Sequence, residues 1–141
     1  MADDLSHFRD AQDSVWADVT AELAAGRKRT HWMWFVFPQI EGLGSSPMAQ
    51  RYALRDLGHA RRYLADPLLG ERLRDGVRLA LSHRDRSANA VFGSPDDLKF
   101  RSCLTLFRKA ASDAADQALF GEALAAFYGG APDPRTLELL G

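Results

Sequence analysis

Asp96 and Lys99 stand three residues apart in VFGSPDDLKFRSCLTLF, and Ser102 follows Lys99 by one more turn. Residues so spaced are neighbours on a helix surface. Such a trio suits chemistry centred on the carboxylate. Asp96 can stabilise a cationic transition state or activate water, which is how glycosidic bonds are commonly broken. Lys99 can supply charge or a proton. Lys28, in the short basic run Arg27-Lys28-Arg29, and His31, which opens the aromatic block HWMWFVF, can do the same. Asp96, Lys99 and His31 are therefore the catalytic candidates.

The ligand-binding candidates come from the same region of the chain. Trp34 offers a face on which a base can stack. The loop QIEGLGSS, residues 39–46, carries Gly42, Gly44, Ser45 and Ser46 ahead of a helix starting at Pro47. Glycines that permit unusual dihedrals, hydroxyls and the free N–H groups of a helix start together suit an anion. Gln12 lies within an apolar stripe and Gln39 closes the aromatic block. With Lys28, Tyr52 and Ser102 they complete the set. G-x-G-S-S-P is neither a Walker loop nor a dinucleotide fingerprint, so no cofactor is read from it. His59 and His83 lack the Cys or carboxylate spacing of a metal site.

Each of these residues also has an ordinary reading. Asp96 suits the dipole of a first helical turn, and Asp96 with Lys99 is a standard surface pair. A lone His31 and a buried Gln12 commonly do no more than bond nearby backbone. The aromatic block can be core, and the glycine loop a tight turn feeding a capped helix.

The elements that must position these groups are helical. Phe8, Ala11, Val15, Val19 and Leu23 form one stripe, with Trp16 at its edge and Gly26 as its stop. After Asp66-Pro67, Leu69, Leu73, Val77 and Ala80 share a face; after Ser94-Pro95, Phe100, Cys103, Leu104, Phe107 and Ala110 do. After Asp116, Leu119, Ala123, Leu124, Phe127 and Tyr128 repeat the pattern before Gly129-Gly130. Shorter helices are predicted over 47–54, 56–65, 87–92 and 134–140. Four pairs, Ser46-Pro47, Asp66-Pro67, Ser94-Pro95 and Asp133-Pro134, read as helix starts: an oxygen that caps, then a proline with no N–H to leave unpaired. Residues 31–37 are the one strand-like run, but no second β-rich segment exists to pair with it. It is predicted as a buried aromatic helix over 31–36, capped by Thr30 and ended by Pro38. The expected fold is all-α: a compact single-domain bundle of seven to eight helices spanning residues 1–141.

Bulk properties narrow the classes. An apolar fraction of 46% and a charged fraction of 26% describe an ordinary globular chain. A net charge of −1 leaves no nucleic-acid footprint. A single cysteine, Cys103, excludes an internal disulfide. The acidic start MADDLSHFRD is not read as a signal peptide, and no apolar run suggests a membrane span. A cytoplasmic protein is expected, of open oligomeric state.

The chain also resembles a known family. AQDSVWADVTAELAAGRKRTHWMWFVFPQIEGLGSSPMAQRYAL resembles the N-terminal signature of a bacterial family of uncharacterised small helical proteins, often labelled "calpastatin", a label we read as mistaken. ARRYLADPLLGERL, VFGSPDDLKFRSCLTLF and FYGGAPDPRTLELL are similar to its later blocks. The resemblance implies an all-α fold and no assigned reaction. Relatives have Ser where this chain has Cys103, which implies that Cys103 is not an essential nucleophile and leaves Ser102 the neighbour of interest. Architecture and the Lys/Asp-containing helix are more distantly similar to the NADAR family, which acts on ADP-ribose-linked bases and N-glycosides. Three readings follow. The first is a pocket that binds or hydrolyses a nucleotide, sugar phosphate or ADP-ribose-type N-glycoside. The second is a non-catalytic module for a small ligand or peptide. The third is a structural or interaction protein.

Overall fold

The computed structural model describes residues 4–141. Residues 1–3, the head of the acidic stretch read as no signal peptide, lie outside the described residues. Ten helices run in chain order among them: α1 (Ser6–Asp13), α2 (Trp16–Ala24), α3 (Met33–Val36), α4 (Pro47–Arg51), α5 (Leu57–Ala65), α6 (Pro67–Leu81), α7 (Ala88–Phe92), α8 (Asp96–Ala110), α9 (Ala114–Tyr128) and α10 (Pro134–Leu140). There is no strand among the described residues, only an isolated parallel bridge between Ile40 and Leu54. No described helix is long and apolar enough to cross a membrane.

The proline pairs start helices as expected at three of four places. Ser46, Asp66 and Asp133 accept hydrogen bonds from Ala49, Leu69 and Thr136 N–H, with proline next in each case. At the fourth, the Ser94–Pro95 peptide is cis and Pro95 itself occupies the cap position, so α8 begins at Asp96 without a side-chain cap. Asp56, Ser87 and Asp113 cap α5, α7 and α9. Gly70 permits the sharp join of α5 to α6: a Cβ there would lie 2.1 Å from the Leu64 carbonyl oxygen.

Several expectations need correction. Among the described residues ten helices stand where seven to eight were expected, and the one expected over 47–54 ends at Arg51. The single stripe from Phe8 to Leu23 is two helices, broken at Ser14–Val15, where the Ser14 hydroxyl bonds back to the Ala11 carbonyl. Such back-bonding by serine competes with helix continuation. The buried aromatic helix is also shorter than 31–36. It starts at Met33 with Trp32 as an uncapped first position, because the Thr30 hydroxyl donates to Glu22 instead. Its end is as expected: Phe37, before Pro38, leaves the helical region at φ −123°, ψ 71°.

The long α8 lies at the centre, packed by α5, α7, α9 and α10. Its Phe100, Leu104, Leu106 and Phe107 are fully buried. Phe37 from the aromatic segment stands edge-on to Phe92 and Phe100, with ring centroids 6.0 and 4.8 Å away. Such contacts add about 0.5–1.5 kcal/mol each beyond area burial. They anchor the end of α3 on Phe100, in the N-terminal half of α8 where Asp96 and Lys99 stand.

Candidate functional site

The loop after α2 is held by one acid. Glu22 is buried and its carboxylate gathers four donors. Oε1 accepts from Arg29 N–H at 2.6 Å, Thr30 N–H at 2.9 Å and the Trp32 indole N–H at 3.0 Å, while Oε2 accepts from the Thr30 hydroxyl at 2.6 Å. Burial pushes the Glu22 carboxyl upward, but these four hydrogen bonds outweigh it and bring it from 4.5 to about 2. Lys28 N–H donates to the Val91 carbonyl at 2.7 Å, tying the same loop to α7.

This frame fixes the Lys28 ammonium. Its side chain is only 6% exposed. The Nζ lies 2.8 Å from Asp96 Oδ2, donates to the Thr30 carbonyl at 2.5 Å and sits 5.0 Å over the Trp32 ring. The other Asp96 oxygen faces Lys99 Nζ at 3.5 Å, and Lys99 lies 4.9 Å over the half-buried Trp34 ring. Two cations thus converge on one carboxylate, each against an indole face that favours positive charge. The second acid of that helical turn, Asp97, accepts instead from Leu98 N–H and the Asn89 amide. The trio carries an excess positive charge at the entry of α8. It can hold an anion in place beside an aromatic face. His31 is exposed and precedes Trp32 directly.

The other expected site residues lie elsewhere. Gln12 is buried; its amide donates to the Phe35 carbonyl at 2.7 Å and to the Tyr63 hydroxyl at 2.9 Å, while its oxygen accepts from Arg72 at 3.4 Å. Ser102 donates to the Leu98 carbonyl and to Asp133, the acid that caps α10. Tyr52 is buried against His7, Phe8 and Phe35. Gln39 is half-buried and its carbonyl accepts from Leu54 N–H. Ser45 and Ser46 serve α4: the Ser45 carbonyl accepts from the Gln50 amide, and Ser46 caps the helix. A Cβ on Gly44 would lie 2.5 Å from that of Ala49, and one on Gly42 3.3 Å from Leu139. Among the described residues, no hydrogen bond, ion pair or ring contact joins these groups to the Asp96 trio. Cys103 is fully buried and its thiol is pushed up by that burial. Thiols so placed are inert.

Sequence reasoning missed Glu22 and the partnership of Lys28 with Trp32. Glu22 was visible in principle as an acid beside Leu23, three residues after Val19, at the border of the apolar stripe.

Residues 2–140 match a family described as a protein of unknown function, DUF1810. The chain belongs to the DUF1810 family. A similar solved structure is that of the conserved hypothetical protein Rv1873 from Mycobacterium tuberculosis. It is 50% identical, with a TM-score of 0.93 over 97% of this chain and 96% of that one. No curated protein matches the chain. The DUF1810 description names no reaction, so the site itself must carry any reading of function.

Proposed function

We propose that the Lys28–Asp96–Lys99 cluster, with Trp34 beside it, binds a phosphorylated nucleotide-type ligand of the ADP-ribose class. The observation that carries this reading is the convergence of two cations on one carboxylate over two indole rings. Lys28 is the fixed charge. Lys99 is the available one: its 3.5 Å approach to Asp96 is longer than the about 2.7–2.9 Å of a charge-assisted hydrogen bond. A phosphate can therefore draw Lys99 away without breaking the Lys28–Asp96 pair. Trp34 then presents its ring to a base. Asp96, freed on one oxygen, faces the sugar and can stabilise positive charge at an N-glycosidic carbon or orient water.

Binding without catalysis is the second reading. It is favoured by the ion pairing of both Asp96 oxygens, which leaves neither without a cationic partner while Lys99 stays. Gln12 and Ser102 are assigned to the frame, since each has its partners at home.

A thermal-shift series with ADP-ribose, ribose 5-phosphate and adenosine tests the reading. Ligand at about 100 times its Kd stabilises by about 2.7 kcal/mol, a rise of several degrees. ADP-ribose is expected to raise the melting temperature most and adenosine least, and Lys99→Ala to abolish the difference. No shift with any of the three would refute binding. If an N-glycoside is turned over, Asp96→Asn separates the two readings: full turnover by the variant removes Asp96 from the chemistry.

A further inference from the structure

A hollow opens at the end of α8 away from the Asp96 cluster, between it, α9 and the approach to α10. Its volume is about 730 Å³. That lies within the about 300–1,000 Å³ typical of small-molecule sites. Twelve residues separate Asp96 from Arg108, about 18 Å along a helix, so this is not the site already described. Arg108 and Lys109 line the hollow together with Ala118, Leu124, Pro132 and Leu137, and no acidic side chain does.

The charges there are unbalanced. Neither Arg108 nor Lys109 has a hydrogen-bond or ion-pair partner among the described residues, and Arg108 lies beside Gly121 of α9, which offers it none. The acids of α9 are engaged elsewhere: Asp113 caps the helix, Asp116 pairs with Arg74 at 2.8 Å and Glu122 with Arg84 at 2.8 Å. The uncharged polar groups of the wall are engaged too. Thr105 donates to the Arg101 carbonyl and accepts from Asp133 N–H, and the Gln117 amide donates to the Ala111 carbonyl. Cations in the last turn of α8 suit its dipole, but that alone needs no hollow beside them. What remains for a ligand is a pair of free cations and alkyl walls.

We propose that this hollow is a second binding site, for an organic acid with a carboxylate head and an apolar body of medium length. The guanidinium of Arg108 takes the carboxylate as a fork of two N–H donors, Lys109 adds a point charge, and the chain lies along Ala118, Pro132 and Leu137. The reading is independent of the function proposed for the Asp96 cluster and survives its failure.

Titration with octanoate, 1-octanol and inorganic phosphate, followed by amide and arginine Nε–H NMR shifts, tests it. Octanoate is expected to move the signals of Arg108, Lys109 and the first turns of α9 saturably. Octanol is expected to move the same signals with affinity weaker by about tenfold or more, the worth of one charge-assisted contact. Phosphate alone, which lacks the apolar body, is expected to move them only at concentrations about tenfold or more above those of octanoate. Arg108→Gln with Lys109→Gln, both exposed and so tolerated by the fold, should bring octanoate down to the octanol level. Ala118→Trp, also at the surface, should fill the hollow and abolish both. Equal affinity for octanoate and octanol, full octanoate affinity in the double variant, or shifts confined to other helices would each overturn the proposal.

Discussion

Glu22 shows how far one side chain can be responsible for a site it does not enter. Its carboxylate orders the loop that carries Lys28, and it does so only while ionised. Its pKa is depressed, from 4.5 to about 2, so the stability it contributes is present above pH 4.5 and lost as pH falls towards 2. Glu22→Gln keeps the shape and removes the charge. It is expected to cost about 2–3 kcal/mol at pH 7, the worth of charged hydrogen bonds to otherwise stranded donors. Urea unfolding at pH 7 and pH 3 checks this: the gap between wild type and variant should narrow at the lower pH. An equal gap at both values would contradict it. Asp96, Lys99 and Lys28 were legible as residues in the sequence, because polar groups beside an apolar helix face stand out. Glu22 was harder to see, since three of its four donors come from backbone N–H groups and an indole in a loop whose path the sequence does not display.

At the scale of elements, the proline punctuation was readable because capping is local: the oxygen and the N–H groups it satisfies lie within four residues. The same logic separates two similar dipeptides. Asp66 caps α6 and also receives Arg9 at 2.9 Å. Ser94 caps nothing, since Pro95 holds the cap position of α8. Asp66→Ala is therefore expected to destabilise by about 1–2 kcal/mol and Ser94→Ala by less than about 0.5 kcal/mol. Thermal or chemical unfolding of the two variants checks the contrast, and equal losses would contradict it. The break between α1 and α2 was hidden because the apolar period runs through it unchanged. Thr30 was misassigned as a cap for a related reason: a threonine before an apolar run suits a cap, but a buried acid from another helix supplied the stronger partner.

At the scale of the whole molecule, the all-α architecture followed from period and punctuation, and the similar structure of Rv1873 has the same fold. The grouping of the polar residues did not follow, because it depends on which helices pack. Side-chain contacts from the loop before α3 and from α3 itself bring Lys28, Trp34, Asp96 and Lys99 together, while Gln12 goes to Tyr63 and Ser102 to Asp133. The residues expected to form one site thus divide into a charged cluster at the surface and groups that hold helices to one another.

The three indole N–H signals of Trp16, Trp32 and Trp34 give the most direct measurement of what the cluster does. Titrating ADP-ribose while recording them resolves the site by position, with Trp34→Phe assigning one resonance. The Trp34 signal should move saturably while that of Trp32, locked on Glu22, and that of Trp16, distant on α2, stay in place. Three unmoved signals at millimolar ADP-ribose, or movement of Trp16 alone, would contradict a nucleotide site at Lys28, Asp96 and Lys99.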